Sequence, residues 1–205
     1  MAASCFGMRP QLLARWRIVI SPTPAIRKAQ LIQGKTLSFR DASIDDAEFI
    51  LSLRTHQKKS RYLSKVTPEL ASQREWLEIY QHSSHQAYFI IEHQAEPIGT
   101  VRLYDPHWPS FCWGSWVLSD GAPSTASIES ALMVYTYAVD HLGFTAAHFD
   151  VRKGNESVWR FHERFGAVRI SEGVSDYFYQ IDLSAIEASR KRYEKFLPNG
   201  VAVEF

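Results

Sequence analysis

Alternating apolar and polar positions divide this chain into short strands and amphipathic helices. Thr36-Leu-Ser-Phe-Arg-Asp-Ala42 repeats every second residue and predicts a first strand. Ser43 or Asp45 can then cap a helix carrying Ile44, Ala47, Ile50, Leu51 and Arg54. Glu69–His82 has helical spacing, with Leu70, Trp76, Leu77 and Tyr80 as candidate core. Ala87–His93 and Pro97–Tyr104 predict two strands about the polar turn Gln94-Ala-Glu96. A turn at Asp105–Pro109 leads to a further strand, Ser110–Leu118, in which Gly114-Ser115 is the point most open to a bulge. Pro123–Leu142 changes the period. Ile128, Ala131, Leu132, Tyr135, Val139 and Leu142 share a helical face, which Gly143 ends. Val168-Arg-Ile170 and Tyr177–Leu183 predict a closing hairpin, and Ser184–Phe196 a last, charged helix.

The stretch between that long helix and the hairpin is the most informative. Ala147, Phe149 and Val151 alternate with His148, Asp150 and Arg152, so a strand runs into a turn at Lys153-Gly154. Asn155 follows where a helix would be capped. Val158, Phe161, His162 and Phe165 line one face of that helix, and Gly166 stands at its C-terminal cap. A short helix thus opens on an amide side chain and carries a titratable ring further along.

Composition narrows the choices. A chain of 205 residues, 45% hydrophobic and 22% charged, fits one soluble domain with a substantial core. A net charge of +1 gives no polybasic footprint, so nucleic acid is not an expected partner. Cys5 and Cys112 are far apart, which is neither a disulfide framework nor a metal-site spacing and suits the cytoplasm. No apolar run approaches the roughly 20 residues a membrane helix needs, so no membrane partner is expected. Arg15 and Arg17 interrupt the short apolar run Ile18-Val-Ile20, against a signal peptide. Residues 1–34 are expected to be a disordered extension or a start placed too far upstream, with Met8 as an alternative, and 35–205 a single domain.

The run Asn155, Val158, His162, Gly166-Ala167 resembles the end of the acetyl-CoA site in the GNAT superfamily of N-acetyltransferases. There the pattern is an Asn, a small residue three on, then Tyr-x-x-x-Gly-Phe or Ala. The resemblance extends from about Leu37 to Ile181, in element order as well as motif. It implies an α/β GNAT fold, a mixed central sheet of about seven strands flanked by about four helices, plus a C-terminal helix.

The same resemblance assigns sites. Pantetheine would lie against Trp116, Val117 and Leu118 in a gap between two splayed strands, and a backbone N–H near Ser115 would polarise the thioester carbonyl. Trp113 is read as plain core in preference to a site residue, and plain core is the alternative for Trp116. The pyrophosphate would rest on Ala122-Pro-Ser-Thr-Ala-Ser127, where helix amides face an anion. The glycines usual in that loop are missing, so small Ser124, Thr125, Ala126 and Ser127 would take their place, and an ordinary helix cap is the alternative. Asn155 would hydrogen-bond the pantetheine arm or serve only as a cap. His162 occupies the place of a Tyr that protonates the leaving thiolate, and an imidazole with its ordinary pKa near 6.5 can do the same. Arg152 and Lys153 read as contacts to the 3′-phosphate of CoA or as a solvated turn.

Acetyl transfer needs a polarised thioester, a neutral amine and a proton for the thiolate. It needs no metal, and none is expected. His56, His82, His85, His93, His107 and His141 lie in or beside predicted turns or helix ends without ligand spacing, and read as solvated. The polar segment Thr55–Pro68 reads as a solvated loop or an acceptor wall. Arg54, Tyr62, Tyr104 and Asp105 are the candidate acceptor contacts. Asp105, Glu92 and His107 are candidates for a general base, and none stands out.

Gly99-Thr-Val-Arg-Leu-Tyr-Asp105 together with the Asp150–Asn155 and Phe161–Ala167 motifs looks like a subgroup tied to bacterial surface-polysaccharide clusters. That likeness implies an amine on a nucleotide-linked deoxyamino sugar as acceptor, with acetyl-CoA as donor. A protein N-terminus is the alternative acceptor, an idle GNAT-like module the alternative to an enzyme, and a homodimer stays open.

Overall fold

A computed structural model describes residues 23–56, 60–62 and 67–205. Nine strands of the described residues make one sheet: β1 (Leu31–Gln33), β2 (Leu37–Asp41), β3 (Ala87–His93), β4 (Glu96–His107), β5 (Ser110–Leu118), β6 (Ala146–Arg152), β7 (Val168–Glu172), β8 (Asp176–Asp182) and β9 (Ala202–Glu204). Their order across the sheet is β7-β8-β6-β5-β4-β3-β2-β1-β9. β5 and β6 run parallel, and the other paired neighbours among the described residues run antiparallel. Among the described residues, five helices cover it: α1 (Ala47–Thr55), α2 (Leu70–Gln81), α3 (Ala126–Thr136), α4 (Glu156–Arg164) and α5 (Leu183–Arg192).

Strand alternation sends residues to opposite faces, and β3 displays the result. Ala87, Phe89 and Ile91 join the larger core, which holds α3, Phe161 of α4, Phe165 just after it, and Ile186 of α5. Tyr88 and Ile90 join a smaller one with Ala47 and Ile50 of α1 and Leu77 and Tyr80 of α2. The helix pair α1–α2 therefore covers one face and the remaining helices the other.

The sheet is two strands wider than the expected seven. β1 and β9 pair with each other at Leu31↔Glu204, Ile32↔Val203 and Gln33↔Ala202. At three residues each they are too short for alternation to reveal. Ile26, Ala29 and Ile32 are buried in the larger core, so the expected domain start at residue 35 is corrected: 23–34 belongs to the folded unit. The expected extension otherwise lies outside the described residues, Met8 included. A buried carboxylate secures this end. Glu129 of α3 accepts hydrogen bonds from the amides of Thr36 and Leu37 and from the Thr36 hydroxyl, at 2.5, 2.9 and 2.6 Å.

Three boundaries also move. β4 runs on to His107 because Asp105, at φ 51°, lets the ladder slip and resume at His107↔Ser110, so the turn shrinks to Trp108-Pro109. α3 closes earlier than periodicity implies, and its continuation, Tyr137–His141, widens into a π-turn. α5 ends at Arg192, with a separate 3-10 turn at Glu194–Phe196. No helix of the described residues is long and apolar enough to cross a membrane.

Candidate active site

The site begins with a defect between β4 and β5. Thr100 pairs with Val117, but Arg102 pairs with Gly114, so β5 holds one extra residue at Ser115-Trp116. Ser115 adopts φ 47°, a left-handed conformation few non-glycine residues take, and its carbonyl accepts the Thr100 hydroxyl at 2.8 Å. Gly99 permits the close approach beside it, since a Cβ there would meet the Val117 carbonyl at 2.4 Å. A bulge bends and twists its strand. Here β5 leaves β6: their pairing runs through Ser110↔Ala146, Phe111↔Ala147 and Cys112↔His148, and goes no further.

A cavity of about 350 Å³ occupies the resulting seam. Its lining includes Ser115 and Trp116 from β5, Asp150 from β6, and Asn155, Val158 and His162 from the turn and helix that follow. From the α1–α2 face it receives Arg54, Tyr62, Arg102 and Tyr104. Seven of the sequence-predicted site residues thus meet in one place: Arg54, Tyr62, Tyr104, Ser115, Trp116, Asn155 and His162. Tyr62 packs close to the β6–α4 turn, where a Cβ on Gly154 would lie 3.1 Å from its ring.

Other candidates stand elsewhere. Val117 is buried and Leu118 half-buried, both paired with β4 and outside the cavity lining. Asp105 lines a neighbouring cavity of about 510 Å³ instead. Glu92 is removed as a general base, because Arg40 holds its carboxylate at 2.7 Å on the β2–β3 ladder. Arg152 and Lys153 are ion-paired with Asp176 and Glu172 at 2.9 and 3.2 Å.

Trp116 is half-buried. Its indole N–H donates to the Ser130 hydroxyl at 3.1 Å, and its ring packs on Phe161. Trp113 is 3% exposed and joins the core, as its plain reading expected. Asn155 begins α4 but makes no side-chain cap; its carbonyl receives the amides of Val158 and Trp159. Its side chain has a 3.4 Å contact from the Ser157 hydroxyl and otherwise faces the cavity.

His162 requires a correction. The ring is 5% exposed and boxed by Trp113, Trp116, Phe149 and Phe161, with centroids 4.2–6.1 Å away. Its buried Nδ1 has no hydrogen-bond partner among the described residues. Burial lowers its pKa to about 3, because charging a desolvated ring is costly. An imidazolium acid with an ordinary pKa is therefore not populated near neutrality; the ring is a neutral imidazole. Cys112 is no nucleophile either, since burial above all pushes its thiol up to about 12.

The loop before α3 is better provided than its missing glycines imply. Among the described residues, the amides of Gly121, Ser124, Thr125 and Ser127 donate no hydrogen bond. No side chain caps the helix at Thr125. Ser124 is exposed, Thr125 and Ser127 are half-buried, and Ala126 is fully buried, so only its backbone is available.

Sequence reasoning missed two features. Arg102 was visible only as the polar position of an alternating strand, with nothing local to say it faces the seam. Asp105, His107 and His148 each bring a ligand-type atom within 4.8 Å of the others. His148 contacts Asp105 at 3.3 Å and the Ser110 hydroxyl at 2.7 Å, and His107 stacks on it at 4.2 Å. Reading His107 by its spacing hid this cluster, because strand register assembles it.

Residues 36–168 match the family described as Acetyltransferase (GNAT) domain. Among solved structures, the chain is similar to FdhC, described as a nucleotide-linked sugar GNAT. Identity is 41% over 80% of this chain and 97% of that one, with a TM-score of 0.73. A GCN5-related N-acetyltransferase from Brucella melitensis shares 17% identity over 87% of this chain and 90% of its own, with a TM-score of 0.71. Spermidine N-acetyltransferase from Vibrio cholerae, solved with CoA and spermine, shares 16% over 74% and 98%, with a TM-score of 0.68. These last two likenesses are of fold. No curated protein sequence matches the chain.

Proposed function

This chain belongs to the GNAT acetyltransferase family, and on that premise we propose that it moves an acetyl group from acetyl-CoA to the amine of a nucleotide-linked amino sugar. The observation that carries this reading is the cavity at the end of the β5–β6 ladder. It joins Ser115, Asn155 and His162 to a polar pocket on the α1–α2 face. The sugar acceptor is supported by the 41% identity to a nucleotide-linked sugar GNAT.

In the reaction, the neutral amine attacks the thioester carbonyl carbon, the C–S bond breaks, and the proton lost by nitrogen ends on the departing thiolate. Each residue then has a defined part. The bulge at Ser115 breaks the β4–β5 register, which frees backbone amide for the developing oxyanion. Asn155, with its side chain not used as a cap, donates to the pantetheine arm. The unpaired amides before α3 receive the pyrophosphate, with the helix dipole behind them. His162 acts as a neutral hydrogen-bond donor toward the leaving sulfur. Its desolvated ring gains from any anion formed beside it, since a nearby negative charge raises an imidazole pKa.

The test is thiol release from acetyl-CoA with UDP- and dTDP-linked amino sugars, peptide N-termini and polyamines. Turnover confined to the sugar nucleotides is the expected result. Turnover on peptides or polyamines alone would overturn the acceptor, and acetyl-CoA binding without turnover on any amine would make the protein an idle module.

A further inference from the structure

Arg102 is the anomaly of the cavity. It projects from β4 on the α1–α2 face, with its guanidinium 4.9 Å from the centre of the Tyr104 ring and 5.3 Å from that of Trp76. Its buried Nε has no hydrogen-bond partner, and no carboxylate among the described residues forms an ion pair with it. Desolvation accordingly lowers its pKa, and the like charge of Arg54 adds to that. A guanidinium taken from water without a counter-ion is unfavourable for the free protein. Three other arginines on or beside the sheet are matched: Arg40 has Asp46 and Glu92, Arg152 has Asp176, and Arg190 has Asp140.

Arg102 and Arg54 line the same seam, and Arg54 reaches toward the Ser115 hydroxyl at 3.5 Å. Two guanidinium groups beside one cavity, that of Arg102 held against the Trp76 and Tyr104 rings, match the geometry of a phosphoryl oxyanion, which accepts paired N–H donors. Asp150 is the carboxylate of the same lining, on β6, across β5 from Arg102. Positive charge on one side and negative on the other suits a molecule with an oxyanion at one end and an amine at the other.

We infer that Arg102, with Arg54, forms an oxyanion subsite that binds a phosphate group of the acceptor and thereby orients the acceptor amine toward the thioester. This inference deepens the nucleotide-sugar reading and rests on it for the source of the phosphate. The subsite is distinct from the amides before α3, which lie outside this cavity's lining.

Two measurements test it on the full chain. In the first, inorganic pyrophosphate is titrated calorimetrically into protein saturated with CoA, so that the amides before α3 are already engaged. Arg102→Gln should weaken pyrophosphate binding about 10- to 100-fold, the size expected for a charge-assisted hydrogen-bonded contact. Arg102→Lys should recover part of it, because the charge returns without the fork. The unfolding midpoint of Arg102→Gln should not fall, since no ion pair is lost; a structural arginine would lower it. Equal titrations for wild type and Arg102→Gln would overturn the subsite.

In the second, Arg102→Gln should raise KM for the phosphorylated acceptor and leave KM for acetyl-CoA unchanged. An unchanged acceptor KM would also overturn it. Should sugar nucleotides fail while another phosphorylated amine reacts in an Arg102-dependent way, the subsite stands and the nucleotide reading falls.

Discussion

Cys112 and His148 form the last pair between β5 and β6. Past them the two strands diverge around the bulge at Ser115, and the residues on their facing edges become walls of a cavity rather than rungs of a ladder. Asn155 stands at the far wall. Asn155→Ala should weaken acetyl-CoA binding about fivefold, one neutral hydrogen bond, while the unfolding midpoint stays close to wild type because the side chain caps nothing. Calorimetry and thermal denaturation of the same variant check both halves. A large loss of stability with unchanged affinity would return Asn155 to a cap.

His162 ties stability to pH with a definite sign. Its folded pKa of about 3 lies below the ordinary 6.5. Between those values the unfolded chain binds a proton that the folded chain refuses, so this contribution is complete above pH 6.5 and is lost as pH falls toward 3. His162→Phe keeps an aromatic ring and removes the titration. From pH 7 to pH 5 wild type should lose about 2 kcal/mol relative to this variant, read from urea midpoints. Parallel pH dependence would mean the ring titrates normally.

The same residue predicts the rate profile. With a neutral ring, kcat should show no decline near pH 6.5 attributable to His162, whereas an imidazolium acid would impose one. The kcat–pH profiles of wild type and His162→Gln, compared between pH 5.5 and 8, decide it. An inflection present only in wild type would restore the charged acid.

Thr125→Asp should separate folding from binding. A carboxylate at a helix N-terminus interacts favourably with the dipole, so stability should hold or rise slightly. The same charge opposes phosphate, so the Kd for CoA should rise about tenfold or more. If affinity were unchanged, the amides before α3 would not be the pyrophosphate site.

Glu129→Ala should cost about 2–4 kcal/mol in urea unfolding, since it strands the buried amide of Leu37 and removes the partner of the Thr36 amide and hydroxyl. Glu129→Gln keeps one acceptor and should lose less. A negligible loss in the alanine variant would mean these amides find other partners.

Much of the architecture was readable because long periodic elements announce themselves. Val158, Phe161, His162 and Phe165 were spaced for one buried face, and Phe161, His162 and Phe165 are buried there. Gly114-Ser115 was marked as a weak point, and the bulge is at Ser115. β1 and β9 went unseen because three residues carry too little pattern, and because β9 is a strand by pairing with β1, some 170 residues away. The end of β4 was misplaced for a similar reason: Asp105 and Pro106 look like turn residues, yet a left-handed φ at Asp105 allows the ladder to resume.

The sequence by itself determined the order of elements, the amphipathic faces, and the run from Asn155 to Ala167 that marks the family, since these depend on neighbours within a turn or two of one another. Only the tertiary structure decided the electrostatics. Whether an imidazole is charged depends on how many rings close over it, and whether an arginine is paired depends on what the adjacent strands bring beside it. His162 became a neutral ring and Arg102 an unmatched cation through burial and register, quantities set by residues far along the chain.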